Sequence, residues 1–170
     1  MLNTDAKFNV GAVVQGDNSD VADLGISKAS VNKAIAIALT HGAAAGNINR
    51  FYADKVTISG TEEDIDLLTA LDAVGVAMNL NKLKGILIEN GNEVTDGELE
   101  VGFDTDGTAG NAVSLFNTPD DSCHLIPKGG VYFFYTGPNG ITVDGTHKVL
   151  RIAGSDGNQF DIVIVGADTS

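Results

Sequence analysis

Paired aspartates on a glycine-bearing loop are the first residues in this chain whose types could do chemistry. The run Asp104-Thr105-Asp106-Gly107-Thr108-Ala109-Gly110-Asn111 offers hard oxygen ligands on a tight turn, which is what a calcium ion takes. The EF-hand pattern fails on it, however. Position five is Thr108, the glycine position is Ala109, and Leu115 stands where a bidentate Glu belongs. The expectation is a polar loop between strands. Glu62, Glu63, Asp64 and Asp66 are the other carboxylate cluster. Glycoside hydrolysis needs one carboxyl of raised pKa facing another across a cleft, whereas a run along one stretch reads as a solvated face. His41, His124 and His147 lie far apart, and none has a ligand partner at i+2 or i+4.

Two further features have a chemical and a plain reading. Tyr132, Phe133, Phe134 and Tyr135 alternate between faces if extended, so half belong in a core. The other half would form a sugar-stacking platform or a subunit contact. The single Cys123 excludes an internal disulfide and any multi-cysteine metal site, and its apolar setting makes it a small core residue. No nucleophile elbow, P-loop or Rossmann glycine pattern occurs. The nearest approach, Gly137 to Gly145, lacks the strand-to-helix context. No catalytic, cofactor-binding or metal-ligating residue is therefore assigned, and no cofactor is expected.

The elements that must carry these residues are mostly strands. With 21 Gly, no Trp, 43% hydrophobic and 19% charged residues, the 170-residue chain suits a turn-rich β protein forming one domain. Within it, residues 1–50 hold a strand, a helix and a connector, and residues 51–170 form the main body. A net charge of −13 with only 10 Lys and Arg disfavours nucleic acid, which needs a basic patch. Residues 1–10 lack a basic start and an apolar centre, so no signal peptide is expected. The apolar run at 34–39 is too short to cross a bilayer, so no membrane partner is expected either.

In chain order, residues 6–15 read as a first strand. Ser30 then reads as an N-cap, with Val31, Ala34, Ile35, Ala38 and Leu39 at helical spacing and Gly42 just past the end. The same Ala-Ile-Ala-Ile-Ala also fits a period of two. Strands follow over 51–59, over the half-buried edge at 62–67, and over 83–89. More follow over 98–103, 112–116, 122–126, 131–136 and 141–143, at sandwich-like spacing. The last hairpin, Lys148 to Ala167, is the strongest. A three-residue turn of Ser155, Asp156 and Gly157, with Gly157 at positive φ, would pair Ile152 with Phe160, Leu150 with Ile162 and Arg151 with Asp161. Leu150, Ile152, Phe160, Ile162 and Ile164 then share the core. Val149, Val163 and Val165 make the second face too apolar for water, so it should be covered by the N-terminal helix and connector or by a neighbouring subunit. So many strands pack as two antiparallel sheets face to face. The fold class expected is mainly β, an antiparallel β-sandwich, jelly-roll-like, with one short helix near the N-terminus.

Several collinear segments resemble a family of small phage virion structural proteins. They are Ala34 to Leu39 closing on Gly42 and Ala45-Gly46, Ala53-Asp54-Lys55-Val56, Glu63 to Leu67, and Lys84 to Ile88 leading to Asn90. The series continues with Ile126-Pro127-Lys128-Gly129-Gly130-Val131, Val149 to Ile152, and Asp161 to Gly166. The order holds from about residue 6 onward, and the departure is residues 68–82, where a longer aromatic-containing turn is usual in the family. The resemblance implies a non-enzymatic capsid decoration (cement) protein of jelly-roll type. It would bind the major capsid protein on the outer capsid surface as a homo-oligomer and so be located on the virion. A tail or neck component, or a carbohydrate-binding module, are the alternatives.

Overall fold

A computed structural model describes residues 6–17, 28–42, 44–72, 75–91, 97–102 and 123–168. In the first two strands the side chains described are Lys7, Asn9 and those from Ile37 onward. The chain is mainly β, in antiparallel sheets. Its strands are β1 (Ala6–Asp17), β2 (Lys28–His41), β3 (Asn47–Ile48), β4 (Arg50–Thr57), β5 (Glu62–Asp66) and β6 (Lys82–Asn90). These are followed by β7 (Leu99–Gly102), β8 (Cys123–Ile126), β9 (Val131–Tyr135), β10 (Ile141–Thr142), β11 (Val149–Ala153) and β12 (Gln159–Ala167). The expected strand at 112–116 and the Asp104–Asn111 loop lie outside the described residues.

One sheet runs β4-β12-β6, with β9 and β10 sharing the far edge of β6. A second runs β5-β11-β7-β8, and β1, β2 and β3 make a third. The first two sheets turn apolar faces to each other. Val56, Ile86, Ile88, Tyr132, Phe160, Ile162 and Ile164 from one meet Ile65, Leu99, Val101, Ile126, Leu150 and Ile152 from the other in one core. Each side chain fully removed from water there contributes roughly 1.5–3 kcal/mol.

The closing segment keeps its strands and loses its pairing. β11 and β12 do not pair with each other; they lie in different sheets. Ile152 stands opposite Glu63 and Val101, and Phe160 opposite Val56 and Asn90. The link between them arches across the core. Ile58 donates its N–H to the Asn158 carbonyl and Gly157 donates to the Ile58 carbonyl, both at 2.9 Å. Gly157 does have positive φ, 84°. Alternation along a strand fixes which face is buried, and two strands facing one core from opposite sides satisfy it as well as two paired neighbours do. Leu150, Ile152, Phe160, Ile162 and Ile164 are accordingly all buried. Arg151 pairs across to Asp64 rather than to Asp161.

The expected helix at 30–42 is strand β2, paired residue for residue with β1 from Ala6 opposite Leu39 to Asp17 opposite Lys28. Both periods fit Ala-Ile-Ala-Ile-Ala, and a full ladder to β1 together with β-branched Ile at 35 and 37 decides for the strand. Gly42 caps the strand, not a helix: its φ is 147°, its N–H donates to the Ile48 carbonyl at 2.8 Å, and a Cβ would sit 2.6 Å from Asn47 Nδ2. The second face of β12 is covered from inside the chain. Ile37, Leu39 and Ile48 pack on Val165, Val163, Phe51 and Tyr135. The cover is a strand end and its connector, and Val149 belongs to the other sheet.

Candidate functional site

The acidic cluster is spread along β5, an edge strand. Register places Asp64 opposite Arg151 and Glu62 opposite Ala153 on β11. Arg151 grips Asp64 with both fork nitrogens, Nε to Oδ1 at 2.7 Å and Nη2 to Oδ2 at 2.8 Å, and reaches Glu62 at 3.4 Å. Lys148 meets Asp66 at 2.8 Å. Burial by itself would raise the Asp66 pKa, but the Lys148 ammonium and the Leu68 and Thr69 N–H groups outweigh it and hold the carboxyl below its ordinary value. These three acids bind cations and backbone donors, the reverse of what a proton-donating carboxyl needs. Charged side chains on an edge strand also discourage further strand addition.

Glu63 alternates to the other side of β5 and lies near Tyr52 on β4. Burial first, then the Asp54 charge and hydrogen bond, then Glu63, push the Tyr52 phenol up to about 12. Its hydroxyl donates to Asp54 Oδ2 at 3.2 Å. The phenol thus stays protonated across the working range of proteins and serves as a donor to Asp54 on its own strand.

The histidines are not brought together. His124 lies against Tyr132 in a tilted arrangement, ring planes 45° apart and centroids 4.9 Å apart. His147 Nδ1 contacts Asp144 at 3.2 Å, and His41 ends β2. Among the described residues no three His, Cys, Asp or Glu side chains are grouped to hold a metal ion. Cys123 is half-buried at the start of edge strand β8 and not a core residue.

The aromatic run alternates as expected. Tyr132 and Phe134 lie nearly parallel, 11° apart with centroids at 6.2 Å, but on the core side of β9. Tyr132 is 8% exposed and its buried hydroxyl has no hydrogen-bond partner among the described residues. Burial also raises its pKa. Tyr135 packs against the second cluster under Ile37 and Leu39. Tyr132 and Phe134 therefore present no open platform to a sugar ring.

Three polar arrangements escape a sequence reading. Asn90 and Asn158, which look like ordinary turn residues, are fully buried and face each other. Asn158 Oδ1 accepts from the Gly97 N–H at 2.7 Å. Asn90 Nδ2 donates to the Gly97 carbonyl at 2.8 Å and to the Ile126 carbonyl at 2.9 Å. Lys84 is 2% exposed and donates its ammonium to the Pro138 carbonyl; burial, with Lys82 adding to it, lowers its pKa. Asn49 reads both the N–H and the carbonyl of Asp168, while Arg50 pairs with the Asp168 carboxylate at 3.2 Å. The only prior signal was position, a polar residue closing an apolar strand at Asn90 and Lys84 interrupting one. Comparison with protein-family models, with curated proteins and with solved structures returned no match.

Proposed function

We propose that this chain is a non-enzymatic structural protein of a phage virion, a capsid decoration protein that binds the major capsid protein on the outer surface as a homo-oligomer. The observation that carries the proposal is the order of the strands. β4-β12-β6-β9 faces β5-β11-β7-β8, and from β4 onward successive described strands pass from one sheet to the other at each step except β7 to β8 and β9 to β10. We read this interleaving as a jelly-roll sandwich, an architecture used by viral capsid and lectin domains. The collinear segments from Ala34 to Gly166 that resemble the virion family support the capsid side of that choice. The inward-facing Tyr132 and Phe134 and the engaged acids of β5 weigh against sugar stacking and acid–base catalysis at those residues.

A compact sandwich seated on a repeating lattice gains avidity from many equivalent contacts, so each one can be weak. The test is to locate the protein in intact particles by cryo-electron microscopy. Density over the capsid lattice at every equivalent position is the expected result. Density confined to one vertex makes it a tail or neck component and overturns the decoration role.

A further inference from the structure

Among the described residues asparagine is followed by glycine twice, at Asn90-Gly91 and at Asn139-Gly140. Glycine has no side chain to shield its backbone nitrogen, so that nitrogen can reach the Cγ of the asparagine before it. The fold treats the two pairs differently. Asn90 is 1% exposed, and its amide donates to the Gly97 and Ile126 carbonyls and accepts from Asn158. The Gly91 N–H is held by the Gln159 carbonyl at 2.8 Å. Attack there requires the end of β6 to open first.

Asn139 lies in the turn Gly137-Pro138-Asn139-Gly140 between β9 and β10. It is exposed, and its side chain makes no hydrogen bond among the described residues. The Gly140 N–H reaches the Gly137 carbonyl at 3.3 Å, longer than an ordinary N–H···O bond. Packing fixes glycine at position 140. Its φ is 69°, and a Cβ would stand 2.8 Å from the Leu83 carbonyl oxygen and 3.1 Å from Lys84 Cδ. The same turn holds a buried charge: the Pro138 carbonyl accepts from the Lys84 ammonium and from the Gly46 N–H.

We propose that Asn139 is a site of spontaneous deamidation, closed into a succinimide by the Gly140 nitrogen, and that the isoaspartate product loosens the hold of Pro138 on Lys84. The Gly140 nitrogen gives up its proton and bonds to Asn139 Cγ. The Cγ–Nδ2 bond breaks, and Nδ2 takes up a proton and leaves as ammonia. Water then opens the ring. Cleavage of the new Cγ–N bond leaves aspartate; cleavage between the Asn139 backbone carbonyl and the Gly140 nitrogen leaves isoaspartate, whose main chain runs through Cβ and Cγ. That chain is longer by a methylene, and Gly140, wedged against β6, has no room to absorb it. The turn must shift, and a buried ammonium that loses its acceptor is destabilising. None of this depends on capsid binding, so a failed decoration role leaves it standing.

The test ages the full chain for days in mildly alkaline buffer made with heavy-oxygen water, once folded and once in urea. Cleavage after Lys and Arg gives a peptide, Gly129 to Lys148, whose one asparagine is Asn139. In the folded chain this peptide should exchange its amide nitrogen for solvent oxygen and resolve into aspartate and isoaspartate forms. Asn139 should react at least about tenfold faster than Asn90, which reacts through opening alone; in urea the two rates should converge. Asn139→Gln, which would have to close a larger ring, should stop the reaction in a chain that still folds. The isoaspartate-bearing fraction should unfold at a lower urea concentration than the unaged chain. An Asn139 that stays intact in the folded chain, or an Asn90 lost as quickly, overturns the site. An isoaspartate form as stable as its parent overturns the link to Lys84.

Discussion

Asn90 and Asn158 show how a single side chain can join loops that are distant in sequence. Their buried amides satisfy the N–H and carbonyl of half-buried Gly97 and the Ile126 carbonyl. Asn158→Ala strips the Gly97 N–H of its partner, and a hydrogen bond lost at such a site costs about 0.5–1.5 kcal/mol; urea denaturation should read a loss in that range. Lys84 gives a prediction in pH. Its folded pKa is lowered from 10.5, so between the lowered value and 10.5 the unfolded chain holds more protons than the folded one. Stability should therefore rise with pH across that window. Lys84→Met should flatten the rise and, by removing a buried ammonium without a carboxylate partner, cost nothing or stabilise at neutral pH. Neither role was legible beforehand. Asn at a strand end reads as a turn, and only the arrival of Gly97 from another loop makes it a core residue.

At the scale of elements, residue patterning told more about faces than about partners. The alternation of β12 and β11 identified Leu150, Ile152, Phe160, Ile162 and Ile164 as core, and all five are buried. It could not tell a paired hairpin from an arch, because the discriminating contacts run from Ile58 and Leu99 to the link. A Cβ on Gly154 would come within 2.8 Å of Ile58 Cδ1. Ala34 to Leu39 was ambiguous for the converse reason, since helix and strand periods both fit until β1 supplies a ladder. Ile162→Asp places a charge in the core and should abolish folding, read as loss of the cooperative thermal transition. Val163→Asp, half-buried on the other face, should leave a folded and less stable protein. Gly166 sits at the irregularity where β12 slips against β6. A Cβ there would stand 2.5 Å from the Lys82 carbonyl and 2.6 Å from Leu80 Cδ2. Gly166→Ala should cost about 1–3 kcal/mol through overpacking, measurable by chemical denaturation.

For the whole molecule, the position of β12 has a consequence in biosynthesis. It is the last of the described strands in chain order, yet it lies between β4 and β6 and is the neighbour that joins them. A nascent chain that has extruded β4 through β11 still holds two unjoined halves of one sheet, each with an open row of N–H and C=O groups. Open rows of this kind are templates for association between chains. The Asn49 and Arg50 contacts to Asp168, which fasten the strand once it arrives, are also missing until then. Translation stopped after Asn158 should thus release a product that aggregates, scored as pellet against supernatant, while a stop after Asp168 should release a soluble one. The interval between synthesis of Ala153 and release of Asp168 is when this chain depends most on a chaperone.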